Sequence, residues 1–539
     1  MRFLFIIFLL SLLHLDPLQA INATINKPSI VFLLADDQRF DELGCTGDPI
    51  VKTPNIDRLA REGILFKNSF APSPSCMPNR TSLLTGQWER RHTVGWNSKS
   101  ALSPEQWKNT LPMVLKSHGY CIAYVGKNHT LGLRHWDFDY YYGSLEDHLR
   151  FYPKKHFGIF NNAEADTQIE IIGEGAGSFL ETSKPFLARA GQEAGVFLKS
   201  RPKDKPFFLY VCFNVPHGSS TLDMKQLPTD DALYRTAYRE VMDLIPPPAG
   251  YIAAKEVMEP KIPLEIYNGK QISQYDYRFT LDALREQRVR ISQTVNGIDR
   301  VVGQIQEQLE QLGLAENTVI VYSSDNGILH GEHGYGGKAL LSDPSIRVPF
   351  IIYDPRLPAN RRGIQVPELV VSPDVAPTIL NLCGLKAPED MQGQSLVPLM
   401  EGKDINWRQD FFCEGLMQLQ NYPVMQAVRS SNWKYIRYWP NAPVPKDYRE
   451  LLNLGLNGEA PAYEELFNLA SDPLEQKNLA GDHASEAQLA AMRARCLELL
   501  RETRGDPQFL PAISPEDWLG EAPPAWKEVL PLLSAKKKK

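Results

Sequence analysis

Ser29-Ile-Val-Phe-Leu-Leu-Ala-Asp36-Asp37 is an unbroken apolar run that stops on two adjacent carboxylates. With no polar alternation it reads as a strand buried on both faces, as in a parallel sheet covered by helices on either side. Acids at the tip of such a strand are unfavourable unless a cation neutralises them. In open α/β sheets, ligands gather at the carboxyl ends of the strands. Three later runs repeat the pattern. Gly119–Val125 ends in Gly126-Lys127-Asn128-His129, Pro206–Phe213 leads into Asn214-Val215-Pro216-His217, and Thr318–Tyr322 leads into Ser323-Ser324-Asp325-Asn326-Gly327.

Between these runs lie helical patterns. Pro54 to Gly63 reads as a helix feeding a strand at Ile64–Phe70. Roughly Phe279 to Leu312 is a long amphipathic helix with Leu284, Ile291, Val295, Ile298, Val302, Ile305 and Leu309 on one face. Ile346-Arg347-Val348-Pro349 opens another strand, and Val371 to Leu385 is a helix with its start. Past a linker near Gln392–Gly402, Gln426–Arg429 and Trp433–Trp439 read as strands paired around a Ser-Ser-Asn turn. A closing strand at Glu465 and a helix over Ala484–Arg504 follow. The expected fold class is α/β: a large mixed, mostly parallel sheet sandwiched by helices, with a smaller C-terminal α+β subdomain built on an antiparallel sheet. The expected domains are a catalytic α/β domain over 21–395, a subdomain over 403–510 and a tail over 511–539. Residues 218–274, with Pro246-Pro247-Pro248 and no clean period, read as a substrate-facing insertion.

The chain has 539 residues and a formal net charge of −6, which gives no support to nucleic-acid binding. Residues 1–20 carry Arg2, an apolar run over Phe3–Leu13 and Ala20, the pattern of a signal peptide. No second apolar stretch is long enough for a transmembrane segment. The expectation is an exported protein, periplasmic or secreted. Seven scattered cysteines form no close pair, and an odd count leaves at least one thiol over. Sequons stand at Asn22, Asn79 and Asn128; the last two lie inside the candidate site motifs, where a glycan would block the site. They read as accidental, which favours a bacterial source.

Ser75-Cys76-Met77-Pro78-Asn79-Arg80-Thr81-Ser82-Leu83-Leu84-Thr85-Gly86 is the most informative segment. Pro78 at a first helical position, with a helix-forming run after it, puts Cys76 at the mouth of a helix, where backbone N–H groups and Arg80 would meet an anion. The Cys-x-Pro-x-Arg core arises by chance in roughly a few chains per hundred of this size. The preceding serine and the closing Thr-Gly make the match far more specific. The segment resembles the signature of the type I, formylglycine-dependent sulfatases of the alkaline-phosphatase-like superfamily.

That resemblance implies a reaction and its residues. Cys76, oxidised to formylglycine (3-oxoalanine) by a separate maturation enzyme, would be the nucleophile. Asp36, Asp37, Asp325 and Asn326, with residue 76, would hold a divalent cation, and an all-oxygen side-chain set suits Ca²⁺ better than Mg²⁺. Arg80 would steady the nucleophile, Lys127 and Lys338 would hold the sulfate, and His217 and His129 would be acid and base, in an order left open. The family commonly has Gly-Lys-Trp-His where this chain has Gly126-Lys127-Asn128-His129. His330 and His333 receive no role. Export, the long inserted region and a set of aromatic and basic residues favour a sulfated carbohydrate as substrate over a simple aryl sulfate. Trp96, Trp136 and Tyr140–Tyr142 are candidate sugar contacts, and Arg90, Arg91, His92, Arg134 and Arg150 candidate partners for further anionic groups. The competing readings are a phosphate or phosphonate ester hydrolase of the same superfamily, an arylsulfatase of small substrates, and a catalytically silent carbohydrate-binding relative.

Overall fold

The computed structural model describes residues 27–96, 98, 100–143, 165–181, 201–217, 231–252, 262–263, 265–266, 280–417, 422–440, 448–504, 514, 517, 521 and 523. The expected signal peptide, most of the expected insertion, Arg150 and nearly all of the expected tail lie outside the described residues.

The described strands, in chain order, are β1 (Ser29–Asp36), β2 (Ile64–Phe70), β3 (Cys121–Gly126), β4 (Tyr140–Gly143), β5 (Phe207–Pro216), β6 (Thr318–Ser324), β7 (Leu329–His330), β8 (Gly336–Gly337), β9 (Arg347–Val348), β10 (Phe350–Tyr353) and β11 (Ile364–Val371). Nine of these make one sheet, in the order β11-β2-β10-β6-β1-β5-β3-β4, with β9 beside β2; β7 and β8 form a separate ribbon. The block β6-β1-β5-β3-β4 is parallel throughout. Strand β10 runs against both β6 and β2, so β2 and β11 point the same way as the central block. The sheet is therefore mixed and mostly parallel, and the carboxyl ends of β1, β2, β3, β5 and β6 share one edge.

Each central strand is buried on both faces. Ile30, Phe32 and Leu34 of β1 join one apolar cluster, while Val31, Leu33 and Ala35 join the other. The first cluster lies under helices Cys76–Thr85, Leu111–Ser117 and Val375–Leu382. The second lies under Pro54–Glu62, Ala165–Glu181 and Leu281–Gln311. Full burial of a large aliphatic or aromatic side chain is worth about 1.5–3 kcal/mol, so β1 alone contributes on the order of 10 kcal/mol of gross burial. That offsets the several kcal/mol attached to each carboxylate at its tip.

A second sheet, β12 (Asp410–Gly415), β13 (Val424–Ser430), β14 (Trp433–Trp439) and β15 (Tyr463–Asn468), is antiparallel in simple order. The helix Glu486–Arg504 packs on it through Leu489, Met492, Cys496, Leu499 and Leu500. The same apolar cluster takes in Phe70, Trp88, Leu341 and Ile346 from the larger unit. The two sheets thus share a core. The Gln426 and Trp433 runs lie within β13 and β14, with Ser430, Ser431 and Asn432 at the turn. Strands β7, β8, β11 and β12 and the edge strand β4 go unread in the sequence.

Candidate functional site

Asp36 closes β1, and Asp37, Lys127, His129, His217, Asp325 and Asn326 follow the ends of β1, β3, β5 and β6, in turns fixed by backbone bonds, whereas Cys76 and Arg80 stand on the helix Cys76–Thr85. The Lys127 N–H donates to the Cys212 carbonyl (2.8 Å), the His217 N–H to the Asp36 carbonyl (3.0 Å) and the Asp325 N–H to the Ala35 carbonyl (3.2 Å). Gly126 makes the first turn possible: its φ is 99°, and a Cβ there would lie 1.9 Å from the Cys212 carbonyl oxygen. Asp37 occupies the left-handed region at φ 61°, held by its N–H to Asp325 Oδ1 at 3.1 Å. A non-glycine residue kept there is strain of the kind found at functional sites.

The Cys76–Thr85 helix begins two residues earlier than the proline rule predicts, with Pro78 third rather than first. The third helical N–H also has no partner within a helix, so proline is tolerated there. Every residue of this helix is buried. Gly86 ends it in the left-handed conformation, donating to Ser82 O at 2.9 Å, which accounts for the closing Thr-Gly. Ser75 is the N-cap residue but does not cap with its side chain; its Oγ accepts the Trp96 indole N–H. The Cys76 Sγ lies 3.6 Å from Asp36 Oδ1, 3.9 Å from Asp37 Oδ1 and 2.7 Å from Lys338 Nζ.

Around this sulfur the charges interlock. Lys338 Nζ donates to Asp37 Oδ1 at 2.5 Å, and Lys127 Nζ donates to Asp36 Oδ2. Arg80 Nε donates to Asp325 Oδ2 at 2.7 Å, and its Nη2 lies 3.4 Å from Asp36 Oδ2. Burial alone would lift Asp36, but Lys127, Arg80 and Lys338 together hold its carboxyl well below the usual carboxylate range. Burial raises Asp37 to about 6 against the pull of Lys338, with Asp36 and Asp325 adding to the rise. Burial pushes the Cys76 thiol far up, so at neutral pH it is a protonated, weak nucleophile. Burial also depresses His129 and His217, reinforced by Lys127 and Lys338 respectively, and both are neutral imidazoles.

The residues present fit a hard divalent cation. Ligand atoms of Asp36, Asp37, Cys76 and His217 lie within 4.8 Å of one another, a candidate metal site. Asp37 Oδ2 and Asn326 Oδ1 are buried acceptors with no hydrogen-bond partner among the described residues. Asn326 faces Asp37, donating from Nδ2 to Asp37 Oδ1 at 2.6 Å. Oxygen donors of this type suit Ca²⁺ or Mg²⁺. Asp325 accepts from the Asp37 N–H and from Arg80, which ties its carboxylate to the same group of side chains. His217 stands closer to the ligand set than the sequence reading has it, with Nε2 3.6 Å from Asp37 Oδ2.

The basic and aromatic residues taken as sugar contacts are mostly framework. Arg90 is fully buried against Glu414 and donates to the Leu452 carbonyl. His92 lies between Ser82 Oγ and the Val94 N–H, each at 3.1 Å. Tyr140–Tyr142 are buried in β4, and Arg134 pairs with Glu521. Trp96 touches the site, its ring edge-on to His129 with centroids 4.9 Å apart. Asn128 fills the family's aromatic position as a loop brace: Oδ1 accepts the Thr130 N–H at 3.0 Å and Nδ2 lies 3.3 Å from His135 Nε2. Asn79 has no room for a glycan: it is fully buried and donates to the Asp325 carbonyl at 2.5 Å. His330 belongs to a separate buried charge cluster, with Nε2 3.0 Å from Glu42 Oε1.

Residues 28–385 match the family described as Sulfatase, and residues 331–502 match the N-sulphoglucosamine sulphohydrolase C-terminal family. An arylsulfatase of Clostridium perfringens is 29% identical over 410 residues, 71% of this chain and 80% of that protein. An N-acetylglucosamine-6-O-sulfatase of Bacteroides thetaiotaomicron is 26% identical over 529 residues, 89% of this chain and 86% of the relative. The solved structure of BT4656 in complex with its substrate D-glucosamine-2-N,6-O-disulfate superposes with a TM-score of 0.67 at 21% identity. It covers 89% of this chain and 99% of that one.

Proposed function

This chain belongs to the sulfatase family, the sulfuric ester hydrolases, and from that premise we propose that it cleaves sulfate monoesters on a carbohydrate. Residue 76, oxidised to formylglycine, would be the nucleophile, and Asp36, Asp37, Asp325 and Asn326 would hold a divalent cation, Ca²⁺ ahead of Mg²⁺. The observation that carries this reading is the meeting of both carboxylates, Cys76, Arg80, Lys127, His217 and Lys338 at one sheet edge. The carbohydrate follows from the Bacteroides relative, an N-acetylglucosamine-6-O-sulfatase.

The chemistry sets the division of labour. A sulfate monoester repels nucleophiles with its own oxygens, so the site needs a reactive oxygen and positive groups around the sulfuryl. A cation on the Asp36–Asp37 oxygens would lower the pKa of the hydroxyl it touches. Lys127 and Lys338, one on each carboxylate, and Arg80 would draw in the sulfuryl oxygens. His129, held neutral, is suited to take a proton from residue 76. The same depression works against His217 as an acid; the negative charge of a bound ester is what would return its proton, with Lys338 beside it. A thiol could not finish the cycle, because a sulfur-linked product has no second hydroxyl with which to collapse. A separate oxidising enzyme is therefore part of the reading, as is export through residues 1–20. Among the described residues, no helix is long and apolar enough to cross a membrane.

The test is turnover of purified enzyme on sulfated amino sugars and oligosaccharides, with an aryl sulfate and a phosphonate monoester for comparison. Sugar sulfates should lead, and Cys76→Ala should lose turnover with an unchanged circular dichroism spectrum. Preference for the phosphonate overturns the substrate class, and intact sulfur at residue 76 in fully active enzyme overturns the nucleophile.

A further inference from the structure

Asn214 is an amide that nothing above employs. It is 1% exposed, and neither Oδ1 nor Nδ2 has a hydrogen-bond partner among the described residues. A buried amide with all its capacity unused is rare, because desolvation without a partner is unfavourable.

Its place in the fold indicates what it faces. The pairing of β1 with β5 is regular up to Leu34 opposite Cys212 and resumes with Asp36 opposite Pro216, so β5 carries two extra residues across this interval. On the other side, β3 stops at Gly126 opposite Cys212. Asn214 therefore sits in a bulge between Asp36 and the Lys127 turn, a device that re-aims a side chain next to a site. Phe213 and Val215 both belong to the cluster under the Leu281–Gln311 helix, whereas Tyr210 and Cys212 belong to the opposite cluster with Met77 of the Cys76 helix. By alternation, Asn214 lies on the Cys76 face, one pleat beyond Cys212 and three residues short of His217.

We propose that Asn214 is a substrate-binding residue whose Nδ2 donates a hydrogen bond to a sulfuryl oxygen of the bound ester. This rests on the sulfate-ester reading above. Lys127 and Arg80 are charged and engaged with carboxylates on the same side of the site, and a neutral donor adds direction to their attraction without adding to their mutual repulsion. The idle amide of the free enzyme is then what remains when its partner is supplied from outside.

The experiment compares wild type with Asn214→Leu and Asn214→Asp, in enzyme carrying its matured residue 76. Three quantities are read: melting temperature, its rise on adding inorganic sulfate, and kcat/KM on whichever sulfate ester the wild type turns over. Leucine removes an unsatisfied polar group, so melting temperature should hold or rise while kcat/KM falls about tenfold to a hundredfold, the loss of one hydrogen bond to a charged group. The rise induced by sulfate should shrink, and aspartate should weaken it further by repulsion. A stable Asn214→Leu enzyme with wild-type kcat/KM and an unchanged response to sulfate overturns the proposal and leaves the sulfatase reading standing. A wild type inactive on every sulfate ester overturns that reading, and this one with it.

Discussion

Lys434 tests how the second sheet serves the first. Its Nζ is fully buried and donates to the Leu341 carbonyl at 3.1 Å, to Asp343 Oδ1 at 2.5 Å and to Glu475 Oε1. Asp343 also accepts from Arg429 Nη2 at 2.9 Å, and the Arg429 guanidinium lies over the Phe70 ring at 4.6 Å. Leu341 and Asp343 end the loop that carries Lys338, and the Ala339 N–H of that loop donates to the Pro74 carbonyl just before Cys76 at 3.0 Å. Lys434→Met would leave two buried carboxylates side by side with one cation fewer. Burial has already lifted Glu475 to about 7 against the pull of Lys434, with Asp343 pushing it the same way. Removing one partner of a buried pair costs about 3–5 kcal/mol. Unfolding entropy of about 2.1 cal/mol/K per residue over a chain of 539 residues makes this a drop of about 3–4 °C in melting temperature, for a chain that unfolds as a unit. Lys338 should loosen as well, and a displacement of about 1 Å near the chemistry costs about a hundredfold in rate. The assay is kcat at 25 °C, well below the transition, alongside calorimetry. Adding Glu475→Gln should recover part of both losses. A Lys434→Met enzyme that melts early yet keeps wild-type kcat would refute any link from the antiparallel sheet to the site.

Burial lowers His92 to about 3, so this neutral ring contributes stability that is intact above its ordinary pKa near 6.5 and is lost as pH falls toward 3. The slope is about 1.4 kcal/mol per pH unit for one proton, and His92→Gln should flatten denaturant-derived stability over that window. Gly126→Ala should abolish activity by forcing the Lys127 turn away from the Cys212 carbonyl; an active, normally folded variant contradicts the close approach seen here. Chelation should lower both activity and melting temperature, with Ca²⁺ restoring them, since occupancy at a hundred times Kd is worth about 2.7 kcal/mol. Unchanged melting with and without chelator would remove the cation from the site.

Two-sided burial is what made the central sheet readable. A strand covered on both faces must be apolar at every position, and β1, β3, β5 and β6 announce themselves that way. The polar residues directly after them then stand out, which is how Asp36, Asp37, Lys127, His217, Asp325 and Asn326 became visible. Residues defined by distant partners did not. Arg90 looks like a surface cation until Glu414, 324 positions on, closes over it, and Lys434 meets Asp343 across 91 positions. Strand β4 was misread because three tyrosines suit an edge strand as well as a sugar platform. Strand β12 has no alternation to mark it. Asn214 is invisible because a bulge leaves no mark in composition.

Lys338 reaches Cys76 from 262 residues downstream, and that separation is also an interval of time. At about 5–20 residues per second of synthesis, the thiol emerges roughly 10–50 s before the lysine that will cover it exists. If residue 76 is oxidised as proposed, its catalyst would meet a reachable sulfur during this window and a buried one afterwards. On the reading that residue 76 is oxidised, a pause in synthesis between these two positions would lengthen the opportunity, and fast completion of the chain would shorten it.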